Sequence, residues 1–290
     1  MTDITPTKTH RDENFPVASL LIAPQHRPII LAFYRFVRAA DDVADSPTLS
    51  ASEKVARLDR LEAGLLGEEN ASPEALTLRG ALAAHDLSPR HAQDLLTAFR
   101  TDATKLRYRD WDDLIGYCTY SAMPVGRFVL DVHEEDRRTW PASDALCAAL
   151  QIINHLQDCG KDYRALDRVY IPLDALERHH VKVEELGATR ASPGLRNCIR
   201  DLAARTRDLL HEAAPFSMLI EDLRLALEVA VIQKLAINLA GGLMRRDPLR
   251  ERVHHNAAEA AGLALAAVVM ALPRRVARRP ARAERKTQDV

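Results

Sequence analysis

Three serine-proline steps, Ser72-Pro73, Ser88-Pro89 and Ser192-Pro193, constrain this chain most. Each sets a helix N-cap before a proline whose fixed φ suits the first turn and whose missing N–H is not needed there. Ser50 with Glu53 forms a capping box, and Asp110 with Asp113 marks a further start. Apolar residues recur at helical spacing after each start, while sustained period-two alternation of β-branched and aromatic residues is missing. The pattern predicts an all-α bundle with helices near 26–45, 51–66, 73–85, 89–106, 111–131, 142–163, 193–213, 221–245 and 256–272. Residues 164–191 are expected to hold only short helical turns and to form a site rim. With 11 glycines, no repeat and no glycine-rich linker, one domain over 1–273 is expected, followed by a basic, disordered tail over 274–290.

Composition narrows the function. Forty lysines and arginines against 41 acids leave no chain-wide basic field to hold nucleic acid. Cys118, Cys147, Cys159 and Cys198 form no C-x-x-C pair, so reduced thiols are expected in place of zinc or redox chemistry. The polar start MTDITPTKTHRDENFP lacks a secretory h-region. The most apolar run, Gly262 to Leu272, is well short of the ~20 residues that span a bilayer. A cytoplasmic protein follows from these features, with peripheral membrane contact open to it. The tail carries seven basic residues against Glu284 and Asp289, a composition suited to anionic headgroups.

Two acidic pairs carry the chemistry. In FYRFVRAADDVAD, Asp41 and Asp45 sit at i,i+4 on one helix face, with Arg38 and Tyr34 extending it. In LQIINHLQDCGKDYRALDRVYIP, Asp158 and Asp162 repeat the spacing, and Asn154 and Gln151 continue their stripe among Leu150, Ile152, Ile153 and Leu156. Like charges at this spacing destabilise a bare helix and call for a cation. Two such helices facing across a bundle would hold Mg2+ by carboxylate oxygens, leaving coordination sites for water and a diphosphate. Lys161, Arg127, Lys105 and Arg107 are further cations that could reach the anion. The adjacent pairs His179-His180 and His254-His255 point to different helix sides and suggest no metal site. The run Ala230 to Gly242 reads as core packing, with Ala240, Gly241 and Gly242 small enough to leave room for a hydrocarbon chain.

These residues, together with YSAMPVG (Tyr120 to Gly126) and Arg168-Val-Tyr170, resemble the squalene/phytoene synthases over most of the chain. The resemblance implies an all-α isoprenoid-synthase bundle with a central cavity. HRDENFPVAS (His10 to Ser19), ADDVAD and QDCGKDYRALDRVYIP are most similar to the bacterial branch of hopanoid and squalene biosynthesis that turns presqualene diphosphate and water into hydroxysqualene. That chemistry is loss of diphosphate, rearrangement of a cyclopropylcarbinyl cation and capture by water, with no NADPH. It implies Asp41, Asp45, Asn154, Asp158 and Asp162 as ligands of several Mg2+ ions, and Arg38, Gln151, Asn154 and Arg168 as substrate contacts. Tyr34, Arg38, Tyr120 and Tyr170 are implied as catalytic residues, and neighbouring squalene-pathway enzymes as partners. Asp42, about 100° around the helix from Asp41, is a helper, and Arg164-Ala-Leu-Asp-Arg168 replaces the family's usual arginine-glycine-arginine. The alternatives are head-to-head prenyl transfer giving presqualene diphosphate or phytoene, and a non-catalytic lipid-binding or assembly protein of the same fold. The lack of a G-x-G-x-x-G fingerprint bears on the first, and the intact acidic pairs argue against the second.

Overall fold

The structure, a computed structural model, describes residues 22–288, with side chains as far as residue 273. The His10 to Ser19 motif therefore lies outside the described residues. Twelve α-helices follow one another among the described residues: α1 (Arg27–Ala44), α2 (Ala51–Leu66), α3 (Pro73–Ala84), α4 (Arg90–Asp102), α5 (Trp111–Ser121), α6 (Met123–Val132), α7 (Trp140–Leu166), α8 (Leu173–Arg178), α9 (Pro193–Glu212), α10 (Phe216–Leu219), α11 (Leu223–Leu243) and α12 (Ala257–Gln288). Only an isolated bridge, Arg107 to Val169, is β-like among them.

Four of the five predicted starts hold in atomic detail. Ser50 and Glu53 make a reciprocal capping box, and Ser72, Asp110 and Ser192 each accept a backbone N–H three residues on. Ser88 does not cap α4 in this way; Pro89 takes the N-cap position, and the Ser88 hydroxyl accepts from the amide of Arg90. The helix expected over 111–131 is broken at Ala122, where φ is −132° and ψ −46°. Pro124, which has no N–H and clashes with the carbonyl four residues earlier, is tolerated only in the first turn of a new helix. Residues 164–191 hold α8 and a 3₁₀ turn over Val183–Gly187, as expected. The helix expected over 256–272 continues past Pro273 to Gln288, through the tail expected to be disordered, whose side chains lie outside the described ones.

Two cores meet at the centre. α1 packs on α2, α3, α4 and α6, and α7 packs on α5, α6, α9 and α11. Stacked rings of Phe33 and Phe128, with centroids 3.8 Å apart, clamp α1 to α6. Gly126 lets α6 approach α7: a Cβ there would stand 2.4 Å from Ser143 Oγ and 2.6 Å from Cys147 Sγ. A cavity of about 550 Å³ remains between α1 and α7. All four cysteines are free thiols.

Candidate active site

The two acidic stripes face the same cavity. Tyr34, Arg38, Asp41 and Asp45 from α1 and its C-cap line one side, and Gln151, Asn154, Asp158 and Asp162 from α7 line the other. The neighbours Ile152, Ile153 and Leu156 are buried in the core. Apolar side chains, Phe33, Leu146, Leu150, Val229 and Ile232 among them, supply much of the remaining wall.

Charge is concentrated at the acidic end. Burial pushes the Asp41 carboxyl up to about 7, with Asp45 adding repulsion and Arg38 opposing it. Burial likewise raises Asp162 to about 7, with contributions from Asp158 and, across the cavity, from Asp45. The two pairs thus sense each other's charge. Arg38 donates to Asp41 Oδ2 at 2.6 Å and to Asp42 Oδ1 at 2.6 Å, so Asp42 helps to hold the guanidinium beside the cavity.

No three His, Cys, Asp or Glu residues converge on a single point among the described residues. Mg2+ is commonly held by only one or two carboxylates, with phosphate oxygens and water completing its shell. Two mutually repelling pairs with a gap between them have the donor chemistry for that arrangement, and the raised carboxyls are the groups a cation would relieve.

Arg168 is buried and reaches back to the first motif, donating to Asp45 Oδ1 at 2.5 Å and to the carbonyl of Ala44 at 2.8 Å. Local geometry aims it there. α7 ends at Asp167 in the left-handed region (φ 52°), which aspartate tolerates better than most side chains. Arg107 fixes this turn through the Asp167 carboxylate at 2.6 Å. Backbone bonds from Val169 to Leu106 and from Leu173 to Tyr108 pin the following segment. Arg168 lines the cavity and ties the segment after the second motif to the first.

Tyr120 does not reach the cavity. It sits in the last turn of α5 and is 41% exposed. The buried face of α5 is instead Trp111, Leu114, Tyr117 and Cys118, and it is Tyr117 that lines the cavity. Tyr170 lies there too, its ring stacked 3.5 Å from that of His155. Burial holds His155 down to about 3, so the imidazole is neutral; it contacts Gln151 at 3.1 Å.

A residue not anticipated from sequence joins these groups. Asp102, 5% exposed at the end of α4, accepts from Tyr117 Oη at 2.7 Å and Tyr170 Oη at 3.0 Å. Burial raises its carboxyl to about 6, against the pull of Arg168 and the two hydroxyls. Its position on the buried face of α4, after Leu95 and Ala98, was the available signal. Of the four extra cations, Arg127 is paired with Asp144, Lys105 with Asp113 and Arg107 with Asp167. Lys161 alone of the four lines the cavity. Ala240, Gly241 and Gly242 do not line it, in line with their reading as packing.

The family model described as squalene/phytoene synthase matches residues 8–259. The chain belongs to the squalene/phytoene synthase family. Among curated relatives, a hydroxysqualene synthase of Rhodopseudomonas palustris is 61% identical over 85% of each chain. One of Zymomonas mobilis is 53% identical over 90% of this chain and 88% of its own. Among solved structures, the squalene synthase HpnC from Alicyclobacillus acidocaldarius is 31% identical with a TM-score of 0.67, covering 79% of this chain and 87% of that one. A ligand-bound dehydrosqualene synthase, 21% identical, superposes with a TM-score of 0.76 over 88% and 90% of the two chains and shares the fold. The all-α isoprenoid-synthase bundle expected from the sequence is thus the observed one.

Proposed function

We propose that this squalene/phytoene synthase family member converts presqualene diphosphate and water into hydroxysqualene and diphosphate. The observation that carries this reading is the pairing of two facing aspartate motifs with an apolar cavity, in a chain 53–61% identical to three hydroxysqualene synthases. Asp41, Asp45, Asp158 and Asp162, with Asn154, would hold Mg2+ ions, which when bound neutralise charge on the departing diphosphate. Arg38 meets the diphosphate, and Gln151, which contacts His155, meets the substrate further into the cavity. Phe33, Leu146, Leu150 and Val229 keep bulk water from the carbocation while it rearranges. Tyr34, Tyr117 and Tyr170 present rings that stabilise positive charge without reacting. One water adds through oxygen and loses a proton, so no hydride donor enters the balance.

We also propose that the protein works in peripheral contact with a membrane and hands its product to a neighbouring enzyme of the same pathway, since substrate and product are long hydrocarbons. No helix among the described residues is long and apolar enough to cross a membrane. The reaction is tested by incubating the protein with Mg2+ and presqualene diphosphate, and separately with farnesyl diphosphate, both without NADPH. Hydroxysqualene from the first supports the reading; presqualene diphosphate from the second, with no hydroxysqualene from the first, assigns the chain to head-to-head prenyl transfer.

A further inference from the structure

We propose that the outward face of α12 is a docking surface for an anionic lipid bilayer. Over residues 257–273 this helix carries a single charged side chain, Glu259. One side packs on α11, where Leu263, Ala264, Ala267 and Val268 meet Val231 and Leu235. The opposite side is bare: Leu265 is 67% exposed, Val269 61% and Leu272 41%, and Ala258 and Ala261 continue the same stripe. These positions recur at three- and four-residue steps, so they form one face about 21 Å long. A helix apolar on all sides is ordinarily covered on all sides, and a contiguous exposed apolar strip marks an interaction site.

The charge beside the strip selects the occupant. The next residues, 274–290, bring seven arginines and lysines against two acids, and the helix runs on to Gln288. An apolar strip followed by a basic segment matches a bilayer's acyl boundary and its anionic headgroups. A second copy docked in parallel on the same strip would set two basic segments against each other, and an antiparallel copy would leave those charges without a complement. The contact lies in the plane of the interface, since no described helix can span a bilayer. This inference deepens the proposed membrane contact and rests on it for the choice of lipid; it is independent of the reaction catalysed.

The test is co-sedimentation of the full chain with phosphatidylcholine vesicles, with and without phosphatidylglycerol, alongside the triple variant Leu265→Gln, Val269→Gln, Leu272→Gln. The wild type should partition into anionic vesicles at least about tenfold better than into neutral ones, and less so as salt rises. The variant, with an unchanged thermal melt, should lose about tenfold or more on anionic vesicles. Equal binding of both proteins would overturn the proposal by assigning the contact to the basic segment alone. So would a wild type that ignores vesicles, including one that is a dimer in solution and that the variant makes monomeric, which would give the face to a second copy.

Discussion

Arg168 donates to Asp45 at 2.5 Å across 123 positions of sequence, and to the carbonyl of Ala44 at 2.8 Å. The end of α7 is thereby locked to the end of α1, and the separation of the two aspartate pairs is set by a buried guanidinium. Arg168→Ala removes the buried guanidinium from the half-exposed Asp45 carboxylate and the Ala44 carbonyl and should cost about 1.5–3 kcal/mol, the range for a hydrogen bond to a charged group. Arg168→Lys keeps the charge but cannot reach both acceptors in one plane, and should cost less. Urea unfolding of the two variants checks the order.

Asp162→Asn should stabilise the metal-free protein while abolishing turnover. The folded carboxyl is raised to about 7 from 3.8, so between these values the folded state binds more protons than the unfolded one. Stability from this group is therefore full below about pH 4 and is lost as pH rises through about 7. The stability gap between variant and wild type should widen in the variant's favour up to about pH 7 and level off above it. Thermal melts against pH, with and without Mg2+ and inorganic diphosphate, read both effects; the ligand-induced rise in Tm should be smaller in the variant.

Tyr117→Phe and Tyr120→Phe separate the cavity-lining tyrosine from its neighbour. Removing the Tyr117 hydroxyl takes away the 2.7 Å donor to Asp102, a hydrogen bond to a charged group worth about 1.5–3 kcal/mol. A fall in kcat of about tenfold or more is expected, because the ring's position in the cavity depends on that bond. Tyr120→Phe, at an exposed site, should change stability by less than about 0.5 kcal/mol and leave kcat nearly unchanged. Steady-state kinetics on the two variants decide between them.

Gly126→Ala should destabilise by about 1–3 kcal/mol, since its Cβ would stand within 2.6 Å of both Ser143 Oγ and Cys147 Sγ. Adding Ser143→Ala removes the nearer of these atoms and should restore part of the loss. Chemical denaturation of the single and double variants measures it.

The helices and both acidic pairs were legible because each rests on local chemistry. Serine caps and prolines fix starts within a turn, and i,i+4 spacing places Asp41 with Asp45 and Asp158 with Asp162 whatever the bundle does around them. What the sequence hid depends on tertiary contact. The break at Ala122 follows from Pro124, whose place inside a long apolar run masked it. Tyr117 and Tyr120 lie one turn apart, and only the Trp111–Leu114–Tyr117 repeat on the buried side separates them. Asp102 is buried by groups arriving from α5 and from the segment after α7, a convergence no local pattern shows. Arg168 reads as a diphosphate contact from its place after the second motif. Its bond to Asp45 appears only when the left-handed turn at Asp167 sends it back under α1.

In the proposed reaction water, and no reductant, terminates the carbocation. This is tested most directly by turning over presqualene diphosphate with Mg2+ in 18O-labelled water without NADPH and analysing the product by mass spectrometry. The expected product is hydroxysqualene carrying one 18O atom. An alcohol without the label, or a hydrocarbon as the main product, would contradict this reading.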